Sequence, residues 1–245
     1  MSEQTIPKVI HYCWFGGAPL PESARRCMQS WKTFCPDYEI IRWDESNFDF
    51  HANRYAQEAY ERGKWAFVSD YARLKIVYDH GGIYLDTDVE LVKPLDPLLE
   101  QEGFLGFQDA STVATGLGFG AAAHHPVIEA MLKDYEGISF LRPDGTMDLT
   151  ACPERNTRCL EGFGLRRDGS FQMAGGIAVY PAEFFSPMDW HTGRITVTQK
   201  TYSIHRFDAS WLTPFGRFKS KMWKLLNRHP RVYRFARRVK HLLQR

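Results

Sequence analysis

The first half of the chain alternates between short runs of β-branched and aromatic residues and segments whose apolar residues recur every three or four positions. The runs predict strands and the segments predict amphipathic helices. In chain order we expect a strand, a helix, a strand, two helices and a strand, at 6–15, 21–34, 38–43, 52–62, 66–80 and 83–92. This alternation is typical of an α/β fold with a parallel, doubly wound sheet that binds ligands at the carboxyl ends of its strands.

The second half of the chain carries a weaker pattern. A helix is predicted from His125-Pro126 to Tyr135. Short strands are predicted at 104–108, 117–121, 177–180 and 202–205. The stretch 136–176 is rich in Gly, Arg and Pro and has little periodicity, so we expect a long loop region there.

Composition places the chain among globular proteins. Of its 245 residues, 44% are hydrophobic, 14% aromatic and 24% charged, which excludes a disordered, collagen-like or coiled-coil chain. The net charge of +2 hides an uneven distribution, because residues 216–245 hold eleven of the 31 Lys and Arg and none of the 29 Asp and Glu. We therefore expect a folded domain over 1–215 and a basic tail over 216–245.

Cysteine usage and the lack of long apolar runs bear on the compartment. The five cysteines are odd in number and form no Cys-x-x-Cys pair, which favours a reducing compartment. The polar N-terminus leads into an apolar run that is too short for a signal peptide. No stretch reaches the roughly 18 apolar residues that a membrane-spanning helix requires. We expect a cytoplasmic protein.

The basic tail has the pattern of amphipathic helices that lie on a membrane surface. Its apolar residues recur at helical spacing on both sides of His229-Pro230, and Trp223 and Tyr233 suit the headgroup level. Each basic residue near an anionic leaflet contributes about 1 kcal/mol, so residues 217–245 predict peripheral attachment to the inner face of the cell membrane. One alternative is a C-terminal helix that docks on the domain. Nucleic-acid binding is disfavoured by the acidic body, which contains no recognised nucleic-acid module.

Two acidic residues, Asp86 and Asp88, fall inside the predicted strand 83–92. Alternate residues of a strand point to one face, so we expect their carboxylates side by side. Paired carboxylates bind a hard cation such as Mg²⁺ or Mn²⁺, whose remaining ligands come from substrate phosphates and water. The alternative is a pair of solvent-facing acids at a strand end, because Asp-x-Asp is frequent by chance.

A second charged pair lies on the predicted helix 66–80. Asp70 and Arg73 are three positions apart and therefore share one helix face. They either form a surface ion pair, which contributes roughly 0 to 1 kcal/mol, or point together at a ligand.

The residues around both pairs form two blocks, Ser69-Asp-Tyr-Ala-Arg-Leu and Gly81-Gly-Ile-Tyr-Leu-Asp-Thr-Asp88. They resemble the central signature of the DXD-containing glycosyltransferases, a family that includes fungal outer-chain α-mannosyltransferases, bacterial capsular polysaccharide transferases and, more distantly, the clostridial glucosylating toxins. Residues 6–17 resemble the family's first strand and nucleotide loop. His205-Arg-Phe-Asp-Ala-Ser-Trp211 resembles its C-terminal block, so the resemblance covers residues 6–211.

The resemblance implies a GT-A fold, a UDP- or GDP-hexose donor, Mn²⁺ or Mg²⁺, a glycan acceptor and retention of the anomeric configuration. It implies that Asp88 binds the metal, that Asp86 binds the metal or the ribose, and that His205 completes the coordination of the metal. Trp14 is implied to contact the nucleobase. Asp70 and Arg73, which with Asp86 and Asp88 form the implied catalytic set, would contact the donor sugar. Further donor contacts are implied at Phe15, Tyr84, Ser210 and Trp211, the last two over the diphosphate.

The sequence departs from the family pattern at two places. Ala151-Cys152-Pro153 stands where the family often has a Thr-Gly-Pro-like turn. Residues 115–119 lack the carboxamide that often precedes the strand after the DXD motif. The resemblance therefore leaves contacts with the sugar and the acceptor open in this region.

The sequence as a whole predicts a metal-dependent glycosyltransferase of capsular or other surface polysaccharide synthesis, whose acceptor can be lipid-linked. A nucleotidyl or phosphoryl transferase also uses paired acids and a metal ion. That class predicts a Lys- or Arg-rich phosphate loop after the first strand, and residues 14–19 contain neither residue type. A third alternative is a non-catalytic carbohydrate-binding scaffold anchored by the tail.

Overall fold

A computed structural model describes residues 5–189 and 192–207, and its main element is a seven-stranded sheet. The strands within this part of the chain are β1 (Val9–Cys13), β2 (Glu39–Trp43), β3 (Gly82–Tyr84), β4 (Val89–Leu91), β5 (Gly103–Gly106), β6 (Phe119–Ala121), β7 (Gln172–Ala174), β8 (Ile177–Tyr180) and β9 (Ser203–His205). β4 and β9 pair with each other, outside the large sheet.

The α-helices of the described residues include the four that the sequence predicts between 21 and 135, whereas the predicted tail helices lie outside the described residues. The described helices are α1 (Glu22–Phe34), α2 (Arg54–Glu61), α3 (Trp65–His80), α4 (Pro126–Glu136) and α5 (Cys152–Glu161). α3 is followed directly by Gly81, whose φ of 66° is a conformation that glycine adopts without strain. His125 caps the start of α4, because its Nδ1 accepts a hydrogen bond from the Val127 amide at 3.2 Å.

The large sheet is mixed, so the expectation of a parallel sheet is wrong in part. Its strand order is β2-β1-β3-β6-β5-β8-β7. β1 is parallel to both of its neighbours and β5 is parallel to β8, as a doubly wound sheet requires. β6 is antiparallel to β3 and β5, and β7 is antiparallel to β8. β7 and β8 are joined only by Gly175-Gly176, a connection too short for the crossover that parallel strands need.

The predicted strand 83–92 is two strands in different sheets. β3 ends at Tyr84 and β4 begins at Val89, and between them the Val89 amide donates to the Asp86 carbonyl at 3.0 Å to close a turn. Asp86 and Asp88 lie in this turn. The two carboxylates do come together, with an oxygen of each within 4.8 Å of the other, but a turn and not strand alternation places them there. Residues 83–92 are rich in β-branched and aromatic side chains, which is why they resemble one strand. The chain nevertheless leaves the large sheet after β3, and β4 pairs with β9.

The predicted loop 136–176 contains a helix and a strand, α5 and β7. α5 lacks the apolar period because its buried face carries polar side chains, including Arg155, Asn156 and Thr157. The loop expectation is therefore wrong over these two elements.

Apolar side chains cover both faces of the large sheet. Helices α2, α3 and α4 contribute to one cluster, with residues such as Ala56, Val68 and Ile128. α1 contributes Trp31 to the other cluster, and its Nε1 donates to the Val89 carbonyl at 2.7 Å, which ties α1 to β4. Within the described ranges, the helices are too short or too polar to cross a bilayer.

His11 on β1 is a buried histidine whose two ring nitrogens are both satisfied in the neutral form. Trp43 Nε1 donates to Nδ1 at 3.1 Å, so Nε2 carries the hydrogen and donates to the Gly81 carbonyl at 3.0 Å. Burial lowers the pKa of His11 from 6.5 to about 4. Between these values the unfolded chain binds a proton that the folded chain does not bind.

The free energy of unfolding should therefore fall by on the order of 3 kcal/mol as the pH decreases from 6.5 to 4 through this one residue. The stabilisation is complete above pH 6.5 and is lost progressively as the pH falls from 6.5 to about 4. Urea unfolding at several pH values measures the effect. His11→Gln should be less stable at pH 6.5 but lose less stability on acidification. If acidification lowered the free energy of unfolding equally in both proteins, this role of His11 would be contradicted.

Candidate active site

The candidate site lies at the edge of the sheet where β1 and β3 end. Trp14 follows β1, and the turn 86–88 follows β3. Because these strands are parallel neighbours, both segments lie at the same edge. α3 contributes Asp70 and Arg73, and β9 brings His205 alongside the turn by pairing with Val89 of β4.

Arg73 bridges two carboxylates at the base of the site. Its Nη2 lies 3.1 Å from Asp70 Oδ1 and 3.3 Å from Asp86 Oδ1. Its Nε donates to the Ser69 carbonyl at 3.1 Å, and the guanidinium lies 5.1 Å from the centre of the Tyr84 ring. Only 7% of the Arg73 side chain is exposed, so the alternative of a surface ion pair with Asp70 is excluded.

Burial and mutual attraction together set the pKa values of Arg73 and its two carboxylate partners. Burial raises the pKa of Asp70 to about 6, against the opposing effect of Arg73. Burial likewise raises the pKa of Asp86. For Arg73, burial alone would lower the pKa, but the two carboxylates outweigh it and the pKa is raised. Arg73 therefore remains charged and holds together two acids that would otherwise repel each other.

Asp86, Asp88 and His205 form a candidate metal site. One ligand atom from each residue lies within 4.8 Å of the others. His205 Nε2 is 2.9 Å from Asp88 Oδ1 and 4.0 Å from Asp86 Oδ2. Burial would lower the pKa of His205, but the neighbouring Asp88 carboxylate raises it. Two carboxylate oxygens and one imidazole nitrogen at a partly exposed point fit Mn²⁺ or Mg²⁺, with positions left for substrate oxygens.

The aromatic residues predicted to contact the donor have different surroundings. Trp14 is half-buried, and its Nε1 donates to the Ala18 carbonyl at 2.6 Å. Phe15 is buried, with its ring 5.9 Å from that of Phe48, so its side chain is part of the core.

Tyr84 contributes to the site through a hydrogen bond to Asp86. It is buried, and its hydroxyl donates to Asp86 Oδ1 at 3.0 Å. It therefore fixes the carboxylate of Asp86. Ser210, Trp211 and the whole tail 216–245 lie outside the described residues.

Sequence reasoning missed the residues that pack behind Arg73. They come from α5, placed in the expected loop, and from the 3₁₀ turn Thr115–Leu117. Gly116 of this turn leaves no room for a side chain, because a Cβ atom would lie 2.5 Å from Asp86 Oδ2 and 3.0 Å from Arg73 Nη1. The sequence pointed to these residues behind Arg73 only through its two departures from the family pattern, at 115–119 and at Ala151-Cys152-Pro153.

We expect Gly116→Ala to lower the free energy of unfolding by about 1 to 3 kcal/mol, because the added methyl group must displace Asp86 or Arg73. Gly137→Ala is the matched control. Gly137 has φ of −91° and no atom within 4 Å of the place that an added methyl group would take, so this change should be neutral or slightly stabilising. Thermal unfolding of both variants measures the difference, and equal effects would contradict the close packing at Gly116.

Comparison with known proteins identifies the segment that carries the acids. Residues 21–105 match the family described as "Glycosyltransferase sugar-binding region containing DXD motif". Inositol phosphoceramide mannosyltransferases 3 and 2 of Schizosaccharomyces pombe are each 31% identical to the chain, over 139 and 157 residues. These matches cover 55% and 62% of the chain but 38% and 45% of the relatives. The chain thus spans less than half the length of either relative.

The solved structure of the PaToxG glycosyltransferase has a similar fold. It is 18% identical, with a TM-score of 0.50 over 65% of this chain and 69% of that one. At this identity the likeness concerns the fold alone, and it supports the expected GT-A type of α/β fold. The resemblance seen in the sequence is thus confirmed. The segment that matches the family of glycosyltransferases with a DXD motif, residues 21–105, contains Asp70, Arg73, Asp86 and Asp88.

Proposed function

We propose that the protein is a metal-dependent, retaining glycosyltransferase that moves a hexose from a nucleoside diphosphate donor to a glycan acceptor. The observation that carries the proposal is the convergence of Asp86, Asp88 and His205 beside the buried Arg73. The family match over residues 21–105 supports sugar transfer as the chemistry.

The charge of the reaction explains why acids and a buried arginine occur together. Breaking the bond between sugar and diphosphate leaves negative charge on the nucleotide. A divalent cation bound by Asp86, Asp88 and His205 would neutralise that charge. Arg73 fixes the Asp86 carboxylate, and Asp70, whose side chain is 14% exposed, accepts hydrogen bonds from hydroxyl groups of the donor sugar.

The acceptor attacks on the face of the sugar that carries the leaving group. The acceptor oxygen bonds to the anomeric carbon while the bond from that carbon to the phosphate oxygen breaks, and the acceptor proton passes to the leaving phosphate. Asp70 is held by Arg73, and Asp86 and Asp88 face the candidate metal, so we assign none of these three acids as a nucleophile. Trapping a covalent glycosyl-enzyme on Asp70 would contradict this route.

The names of the relatives guide the choice of substrates. Two matching proteins are inositol phosphoceramide mannosyltransferases. We therefore propose mannose as the first hexose to test, carried by GDP or UDP. We propose a lipid-linked or other glycan acceptor of capsular or surface polysaccharide synthesis.

A panel of UDP- and GDP-hexoses, with and without Mn²⁺, tests the proposed function. A ligand that binds the native state raises its apparent stability by mass action, so one donor should raise the melting temperature only when metal is present. The same donor should be slowly hydrolysed. No response to any donor in the presence of Mn²⁺ or Mg²⁺ would reject the proposed function and favour the non-catalytic scaffold.

We also propose that residues 217–245 attach the protein to the inner face of the cell membrane. Their eleven basic residues and helical apolar spacing support this. The intact protein should float with phosphatidylcholine vesicles that contain phosphatidylserine, and a variant ending at residue 216 should not. Absence of binding by the intact protein would reject the proposal.

A further inference from the structure

A buried polar network lies directly behind Asp70. Its members are Thr115 from the 3₁₀ turn and Cys152 and Asn156 from α5, with exposed fractions of 0%, 4% and 1%. None of the three is in the proposed catalytic set. A buried polar group is costly unless it is hydrogen-bonded, so the partners of these side chains determine what the network does.

Hydrogen bonds join the three side chains to one another and to Asp70. Asn156 Nδ2, which can only donate, lies 3.0 Å from Thr115 Oγ1 and 3.1 Å from Cys152 Sγ. The Asp70 side chain is hydrogen-bonded to Cys152, and an ionised carboxylate only accepts, so the thiol hydrogen points to Asp70. The sulfur has no second hydrogen, so Thr115 Oγ1, at 3.3 Å, donates to it.

The thiol keeps its hydrogen in this environment. Burial raises the pKa of Cys152 to about 12, and the neighbouring Asp70 carboxylate acts in the same direction. Cys152 is therefore a neutral donor and not a nucleophile. Asp70 is held by Arg73 at 3.1 Å and by the thiol. Two separate partners fix the orientation of a carboxylate better than one.

We propose that Cys152 is a positioning residue, which orients the Asp70 carboxylate toward the donor sugar while Thr115 and Asn156 hold the thiol in place. This inference rests on the proposed function, because it assigns a role to the sugar contact of Asp70. It also assigns a purpose to α5, whose first turn carries Cys152 where the family often has glycine.

Binding measurements that separate the sugar from the nucleotide test this role. Calorimetry with Mn²⁺ should use GDP-mannose against GDP, with UDP-glucose against UDP in parallel. Cys152→Ala should weaken sugar-nucleotide binding by roughly tenfold, because hydrogen bonds to charged groups are among the stronger ones, and leave binding of the nucleoside diphosphate unchanged. Cys152→Ser, which keeps a donor, should restore the affinity. Cys159→Ala, on the same helix and outside the network, is the control.

The outcomes separate the two proposals. A selective loss in Cys152→Ala with recovery in Cys152→Ser supports the positioning role. Equal losses for GDP-mannose and GDP, or no loss, overturn it and leave the proposed function intact. If the wild-type protein binds none of these sugar nucleotides, the proposed function and this inference both fail. If Cys152→Ala does not fold, Thr115→Val removes the hydroxyl that donates to the sulfur and should give the same selective loss.

Discussion

Asp88→Asn should reduce sugar transfer at least about 10²-fold and weaken Mn²⁺ binding with it, since losing even an indirect partner of a metal ligand typically costs 10- to 100-fold. The Asp88 carboxylate lies 2.9 Å from His205 Nε2, within the group whose ligand atoms converge to 4.8 Å. An amide has no charge to attract the cation. Initial rates across a Mn²⁺ titration measure both effects.

Asp79→Asn is the matched control for this prediction. Asp79 lies on α3 and pairs with Lys75 at 2.6 Å, four positions away. The same change of a carboxylate to an amide should leave turnover and Mn²⁺ affinity unchanged there. Full turnover by Asp88→Asn, with unaltered metal affinity, would reject the metal site.

Arg73→Ala should lower the free energy of unfolding by about 3 to 5 kcal/mol, because it leaves two partly buried carboxylates without their shared partner. For a chain of this length the melting temperature should fall by on the order of 10 °C. Sugar transfer should also be lost, since Asp70 and Asp86 would no longer be held. Thermal unfolding and an activity assay on the same samples measure both effects.

Arg158→Ala is the control that separates the effect of removing Arg73 from the effect of losing an exposed ion pair. Arg158 lies 3.3 Å from Asp134, and 59% of its side chain is exposed. Its removal should cost roughly 0 to 1 kcal/mol. If both arginine variants melted at the same temperature, the bridge at Arg73 would contribute no more than a surface ion pair.

The helices that the sequence predicted correctly bury apolar side chains at helical spacing. α1 shows this clearly, with Ala24, Cys27 and Trp31 buried. α5 could not be found in this way because its buried face includes Arg155 and Asn156. Buried polar residues depend on partners from distant elements, so a local apolar pattern does not reveal them.

The acids of the site were predictable from the sequence, but their arrangement was not. Asp86 and Asp88 were identified for their chemistry, and an incorrect strand was used to bring them together. His205 came only from the family resemblance. A third ligand that arrives from another strand leaves no local signal, and the same holds for Gly116, whose constraint is contact with Asp86 and Arg73.

The β4–β9 pair joins two segments of which the ribosome synthesises the second much later than the first. Asp88 and His205 are separated by 117 positions, whereas Asp70 and Arg73 are neighbours on one helix. The charged bridge can thus form early, but the imidazole reaches the acids only after a large loop has closed. A chain cut between the two strands would keep both acids and lack the third ligand. The candidate metal site is therefore complete only in the finished fold, and an incomplete chain emerging from the ribosome would lack its imidazole.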